Sequence, residues 1–162
     1  MIALFRVDDR LVHGQVVLGW GQALHAAFIV LVDDAVAGSG WEQELYRMGV
    51  PPEMDVYFAG VDDAARQLDE WLADSRIGIL LTPDLETMNR LCAATQRVRK
   101  VNLGGIHHRP GRAQKLRYLY LAPADEDLLR TLSRRGIEVT AQDVPTAEPV
   151  PVEQLVSKES AA

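Results

Sequence analysis

Ile2-Ala3-Leu4-Phe5-Arg6-Val7-Asp8-Asp9-Arg10-Leu11-Val12-His13-Gly14-Gln15-Val16-Val17-Leu18 opens the chain with an apolar run, a charged run and a second apolar run. The first run, roughly Ile2 to Val7, reads as a short buried strand, and the last as part of a helix from about Gly14 to Leu24. A strand that feeds a polar loop and then a helix begins a βαβ unit. It sets the polar residues at the carboxyl edge of a parallel sheet, where open α/β folds bind ligands.

The alternation continues outward from this stretch. Phe28 to Val32 is wholly apolar, as a strand covered on both faces must be, and it ends in Asp33-Asp34. Val56–Ala59, Ile77–Leu81, Val101–Leu103 and Ile137–Gln142 read as further strands. Between them, helical stripes are carried by Trp41, Leu45 and Met48, by Ala64, Leu68 and Trp71, by Leu85, Met88 and Leu91, and by Leu128, Leu129 and Leu132. Gly38-Ser39-Gly40 reads as a turn, Thr82-Pro83 as an N-cap followed by proline in the first helical position, and Gly136 as a helix stop. Ile106 to Lys115 reads as a loop, Leu116 to Leu121 as a strand with no assigned neighbour, and Val152 to Val156 as one helical turn. The pattern predicts a mostly parallel sheet in an α/β fold.

A length of 162 residues suits one domain, assigned to residues 1–156, with 157–162 expected to be disordered. The balance of 17 basic and 23 acidic side chains, net −6, argues against a nucleic-acid binder. A single cysteine, Cys92, excludes an internal disulfide, and its neighbours Met88, Leu91 and Ala93 predict a small core residue. The N-terminus lacks a signal-peptide pattern. Apolar runs such as Ala26–Val32 fall far short of the ~20 residues of a membrane span. A cytoplasmic protein without direct membrane insertion is expected.

Of the four histidines, His25 ends a helix and reads as a capping or surface residue. His107 and His108 have no spaced partners that would complete a metal set, so no metal or other cofactor is expected. His13 has two readings. It is a histidine packed at a strand–helix junction, or a nucleophile whose neutral form is favoured by Arg6 and Arg10. Those guanidiniums offer forked donors that suit phosphate oxygens, and Gly14 lets an anion approach the N–H groups of the following helix. Phosphoryl transfer asks for little beyond such positioning and charge stabilisation. Neither Asp8 nor Asp9 should face a phosphate. One is expected to orient the imidazole and the other to pair with Arg10, with Asp8 favoured as the orienting group; a solvated turn is the alternative for each.

Rival motifs fail on spacing. An Arg-His-Gly phosphatase triplet would need arginine where Val12 stands. A P-loop would need lysine where Trp20 stands, and Gly-x-Gly-x-x-Gly is absent from the first turn.

The sequence resembles the IIB components of the bacterial sugar phosphotransferase system (PTS), mannose–fructose–sorbose class. Arg6 to Val16 with Gly19-Trp20 carries the resemblance, with valine for the more usual isoleucine at positions 7 and 12. Val32-Asp33-Asp34, Thr82-Pro83, Asn102-Leu103-Gly104-Gly105-Ile106-His107, Gly136-Ile137 and Val144-Pro145 follow in family order, to about Leu155. Leu80-Leu81 departs from relatives that place a lysine before Thr82. The resemblance implies a three-layer α/β/α open sandwich with six or seven strands. It implies that His13 accepts a phosphoryl group on Nδ1 from a IIA histidine and that the group passes to a sugar carried by membrane IIC and IID components. Arg6 and Arg10 would bind phosphate. Asp9, Gly14, Gln15, Thr82, Gly104 and Gly105 count as loop and phosphate-binding candidates, and His107, Arg109 and Arg112 as candidates for partner docking. The basic tract through Lys115 has a second reading, a solvated turn, which is preferred to a role in steering a partner. With no IIA region in the chain, a separate donor protein is expected.

Two functional classes follow: a sugar phosphotransferase carrier, or a regulatory module whose phosphorylated histidine switches binding to another protein. A plain anion-binding domain is a third.

Overall fold

Strand β1 (Ile2–Val7) ends where the charged run begins, and beyond the loop the chain winds a π-helical turn, Gln15–Trp20, into the short helix α1 (Gly21–Leu24). The computed structural model describes residues 1–157. The following elements are β2 (Phe28–Val32), α2 (Asp34–Ala37), α3 (Gly40–Met48), β3 (Asp55–Ala59), α4 (Val61–Ala73), β4 (Gly78–Thr82), α5 (Leu85–Ala94) and β5 (Lys100–Leu103). A hairpin, β6 (Ala113–Leu116) and β7 (Leu119–Leu121), precedes α6 (Pro123–Arg134), β8 (Glu138–Ala141), β9 (Val150–Pro151) and a 3-10 turn at Val152–Gln154.

The strands form a seven-stranded sheet in the order β3-β2-β4-β1-β5-β8-β9. Only β9 pairs antiparallel within it. Alternate residues of the central strands serve opposite faces. Phe28, Val30, Val32 and Leu80 meet Ala64 and Leu68 of α4, Met88 and Leu91 of α5 and Leu129 and Leu132 of α6. Ile29, Ile79 and Leu81 meet Val16, Val17 and Trp20 on the other face. The expected three layers and mostly parallel sheet are therefore present.

This strand order creates the crevice. From β1 the chain leaves toward β2 on one side of the sheet, whereas from β5 it continues to β8 on the other. The carboxyl ends of β1 and β5 thus flank a point where the connections diverge, the usual ligand position in open α/β sheets.

Three local readings are corrected. Thr82 is not an N-cap but the last residue of β4, fully buried. Asp84 caps α5 instead, accepting from the Thr87 amide at 2.8 Å, because its backbone is extended and the helix starts only at Leu85, two residues after Pro83. The tract to Lys115 is not all loop: Ala113–Leu116 pairs with β7, a half-exposed hairpin whose polar residues hide any strand alternation. Helix α2 was not foreseen. It begins directly after β2, capped by Asp33, whose carboxylate accepts from the Val36 amide. The expectation of a disordered tail lies outside the described residues except at Ser157, which hydrogen-bonds Glu126 and Arg130 of α6.

Candidate functional site

The loop after β1 is fixed by the sheet ends around it. The Asp8 amide donates to the Thr82 carbonyl at 3.0 Å, the Asp9 amide to Gly105 at 2.9 Å, and the Gly104 amide to Val7 at 2.7 Å. Leu11 takes a left-handed conformation, φ 56°, that non-glycine residues seldom adopt. Burial against Leu31 and Val36 holds it there.

Asp8 is the hub. Its side chain has no solvent exposure, yet it meets three cations or polar rings. Arg10 donates through Nε and Nη2 to Oδ1 and Oδ2, each at 3.1 Å, and Arg6 Nη2 lies 3.3 Å from Oδ2. His13 Nε2 lies 3.2 Å from the same Oδ2. Burial alone would raise the Asp8 pKa, but the hydrogen bonds from His13 and Arg10 and the charges of Arg6 and Arg10 outweigh it. The carboxyl is held far below its ordinary range. Its expected role as orienting group fits this geometry, but the expected division of labour does not. Of the two neighbouring aspartates, Asp8 contacts both His13 and Arg10, and Asp9 contacts His107 instead.

An ionised carboxylate only accepts, so the ring nitrogen facing Asp8 carries hydrogen. Nδ1 then presents a lone pair, consistent with the Gln15 amide that points at it from 3.3 Å. The His13 side chain keeps 18% of its surface and Arg10 keeps 30%.

Arg6 departs from expectation. It is completely buried beneath Trp20, whose ring lies 5.1 Å from the guanidinium carbon. Its terminal nitrogens are spent on Asn102, the carbonyls of Gln142 and Asp143, and Asp8. Desolvation lowers its pKa, opposed chiefly by Asp8. Arg6 anchors the hub, and of the two arginines only Arg10 retains surface to offer a phosphate.

Gly104 is demanded by close approach, and Gly105 stands in a tighter than ordinary contact. A methyl group on Gly104 would overlap the Arg6 guanidinium and stand 2.6 Å from Asp8 Oδ2, and one on Gly105 would stand 3.1 Å from Arg10 Nε. Gly14 has open space above it, with an ordinary helical backbone. Asp9 turns away from His13 toward His107, taking its amide at 2.7 Å and its Nδ1 at 2.6 Å. Arg112 is tied back to the His107 carbonyl and to Asp125, and Lys115 to Glu126, so these two cations brace the hairpin. Arg109 stays exposed. His108 stacks edge-on against Tyr120, and His25 ends α1 in a left-handed cap. Cys92 is a buried core residue whose pKa burial pushes up to about 11. Among the described residues, no cluster of His, Cys, Asp and Glu is arranged to hold a metal ion, and no helix is long and apolar enough to cross a membrane.

Asn102, Gln142 and Asp143 were missed as parts of the site. They lie 96 to 137 positions from Arg6 in sequence; Asn102 opens a stretch that carries the family resemblance, but nothing local ties it, Gln142 or Asp143 to Arg6.

Comparisons with known proteins bear on the family and the fold. The family model described as "PTS system sorbose subfamily IIB component" matches residues 2–162. The chain is 32% identical to the N-acetylgalactosamine-specific phosphotransferase enzyme IIB component 1 of Escherichia coli, over 89% of this chain and 91% of that one. It is 29% identical to the mannose-specific EIIAB component of E. coli over 98% of its own length, but spans only 49% of that relative. Among solved structures, manxB from Thermoanaerobacter tengcongensis superimposes with a TM-score of 0.87 at 27% identity, covering 99% of this chain and 97% of that one. The chain therefore belongs to the sorbose-subfamily IIB components of the phosphotransferase system.

Proposed function

We propose that this chain is a phosphocarrier whose His13 Nδ1 accepts a phosphoryl group from a IIA histidine and passes it to a sugar alcohol group. In the first step the donor N–P bond breaks as the Nδ1 lone pair forms the new N–P bond. The Nε2 proton stays on the ring. Positive charge that builds on the imidazole is offset by Asp8, and Arg10 offers donors to the phosphoryl oxygens. In the second step a sugar hydroxyl oxygen attacks phosphorus, the N–P bond breaks with its electron pair returning to Nδ1, and the hydroxyl proton passes to solvent water. The sugar would be presented by membrane IIC and IID partners, which places the work of this chain on the cytoplasmic side.

The observation that carries the reading is one buried carboxylate shared by His13 and Arg10. It turns Nδ1 away from the carboxylate, with only the Gln15 amide facing it at 3.3 Å, and holds the partly exposed Arg10 on the same carboxylate as the ring. Incubation with a phosphorylated IIA protein should add a labile mass of about 80 Da, absent in His13→Ala. An adduct that persists in His13→Ala, or none with any matched donor, overturns the proposal.

A further inference from the structure

Arg10 stands between two carboxylates. Nη2 is 3.1 Å from Asp8 Oδ2 and 4.0 Å from Asp143 Oδ1. Asp143 sits in the loop after β8, and its backbone is already committed, its carbonyl accepting from Arg6 Nη2 at 3.1 Å and from Trp20 Nε1 at 3.2 Å. These bonds fix where the side chain starts. The carboxylate itself keeps 19% of its surface and makes no closer ion pair among the described residues. Asp8 has a plain structural task, anchoring His13, Arg10 and Arg6. Asp143 is different: it puts a second negative charge beside the one guanidinium that still has surface to offer an anion.

We propose that Asp143 is a positioning residue that competes with the phosphoryl group for Arg10 and so keeps the group on His13 easy to transfer. This rests on the phosphocarrier reading. A carrier that bound its phosphoryl group as tightly as possible would stabilise the intermediate more than the transition state leaving it, and the second transfer would slow. A fixed carboxylate near Arg10 repels the dianionic phosphoryl group and draws the guanidinium toward itself. Both effects lift the free energy of the phosphorylated state.

The test compares wild-type protein with Asp143→Asn, nearly the same shape without the charge, and Asp143→Glu, which keeps the charge. Two quantities are read: the equilibrium of phosphoryl exchange with a IIA protein, and affinity for inorganic phosphate followed by NMR shifts of the loop amides. Asp143→Asn should move the exchange equilibrium toward the phosphorylated chain and tighten phosphate, each by about fivefold, while Asp143→Glu stays near wild type. A gain of binding is an outcome that damage to the fold does not produce. Unchanged values in Asp143→Asn, or equal changes in both variants, overturn the proposal. If the wild-type chain accepts no phosphoryl group, the phosphocarrier reading fails, and the phosphate titration still reports on Asp143 independently.

Discussion

At the residue scale, the chemistry turns on an ion cluster that is stable only as a set. Asp8 has two guanidiniums and an imidazole around it and no solvent-exposed surface. Its pKa is lower in the folded protein than the roughly 3.9 of an unfolded chain. The stabilisation is therefore fully present above about pH 4 and is lost as pH falls through the folded value. Urea titrations from pH 7 down to pH 3 should show only the onset of that acid loss in wild type, below about pH 4, and a flatter profile in Asp8→Asn. At neutral pH the same substitution should cost about 3 kcal/mol, because it strands the buried Arg6 charge. Leu11 makes a second point. Its burial outweighs a left-handed backbone that costs about 1 kcal/mol. Leu11→Ala loses the burial and keeps the strain, whereas Leu11→Gly loses the burial and releases it. Chemical denaturation should find the glycine variant more stable than the alanine variant by about 1 kcal/mol.

At the element scale, the ends of helices decide where side chains arrive. Asp84 starts α5 by accepting the Thr87 amide, and Gly136, at φ 79°, lets the chain turn from α6 into β8. A methyl group at Gly136 meets nothing within 4 Å, so Gly136→Ala isolates the backbone cost. It should lower stability by about 1 kcal/mol, as should Asp84→Ala through the lost cap. Thermal melts of both variants check this, and phosphoryl uptake should persist because neither residue touches His13.

At the scale of the whole molecule, the two arginines separate. Arg6 ties β1 to Asn102 in β5 and to the loop after β8, across the point where the connections diverge. Arg10 keeps 30% of its side-chain surface at the rim. Arg6→Leu should therefore destabilise the fold by about 3–5 kcal/mol and shift Trp20 fluorescence, since the indole lies on that guanidinium. Arg10→Leu should cost well under half as much in urea titrations while impairing phosphate binding more. Equal stability losses would refute this division.

Most of the order of strands and helices, though not α2 or the β6 strand, and the charged stretch after the first strand were legible in the chain, because apolar periodicity and turn residues are local properties that survive without tertiary context. The fold class followed from the same pattern. What each charge does was not legible. Arg6 and Arg10, four positions apart, differ in burial only because Trp20, Asn102 and the loop at Gln142-Asp143 close over one of them. Asp8 and Asp9 are neighbours with opposite directions, one toward His13 and the other toward His107. Such assignments depend on which distant strands stand side by side, and that order is set by long-range burial and the divergence of the connections at β1 and β5.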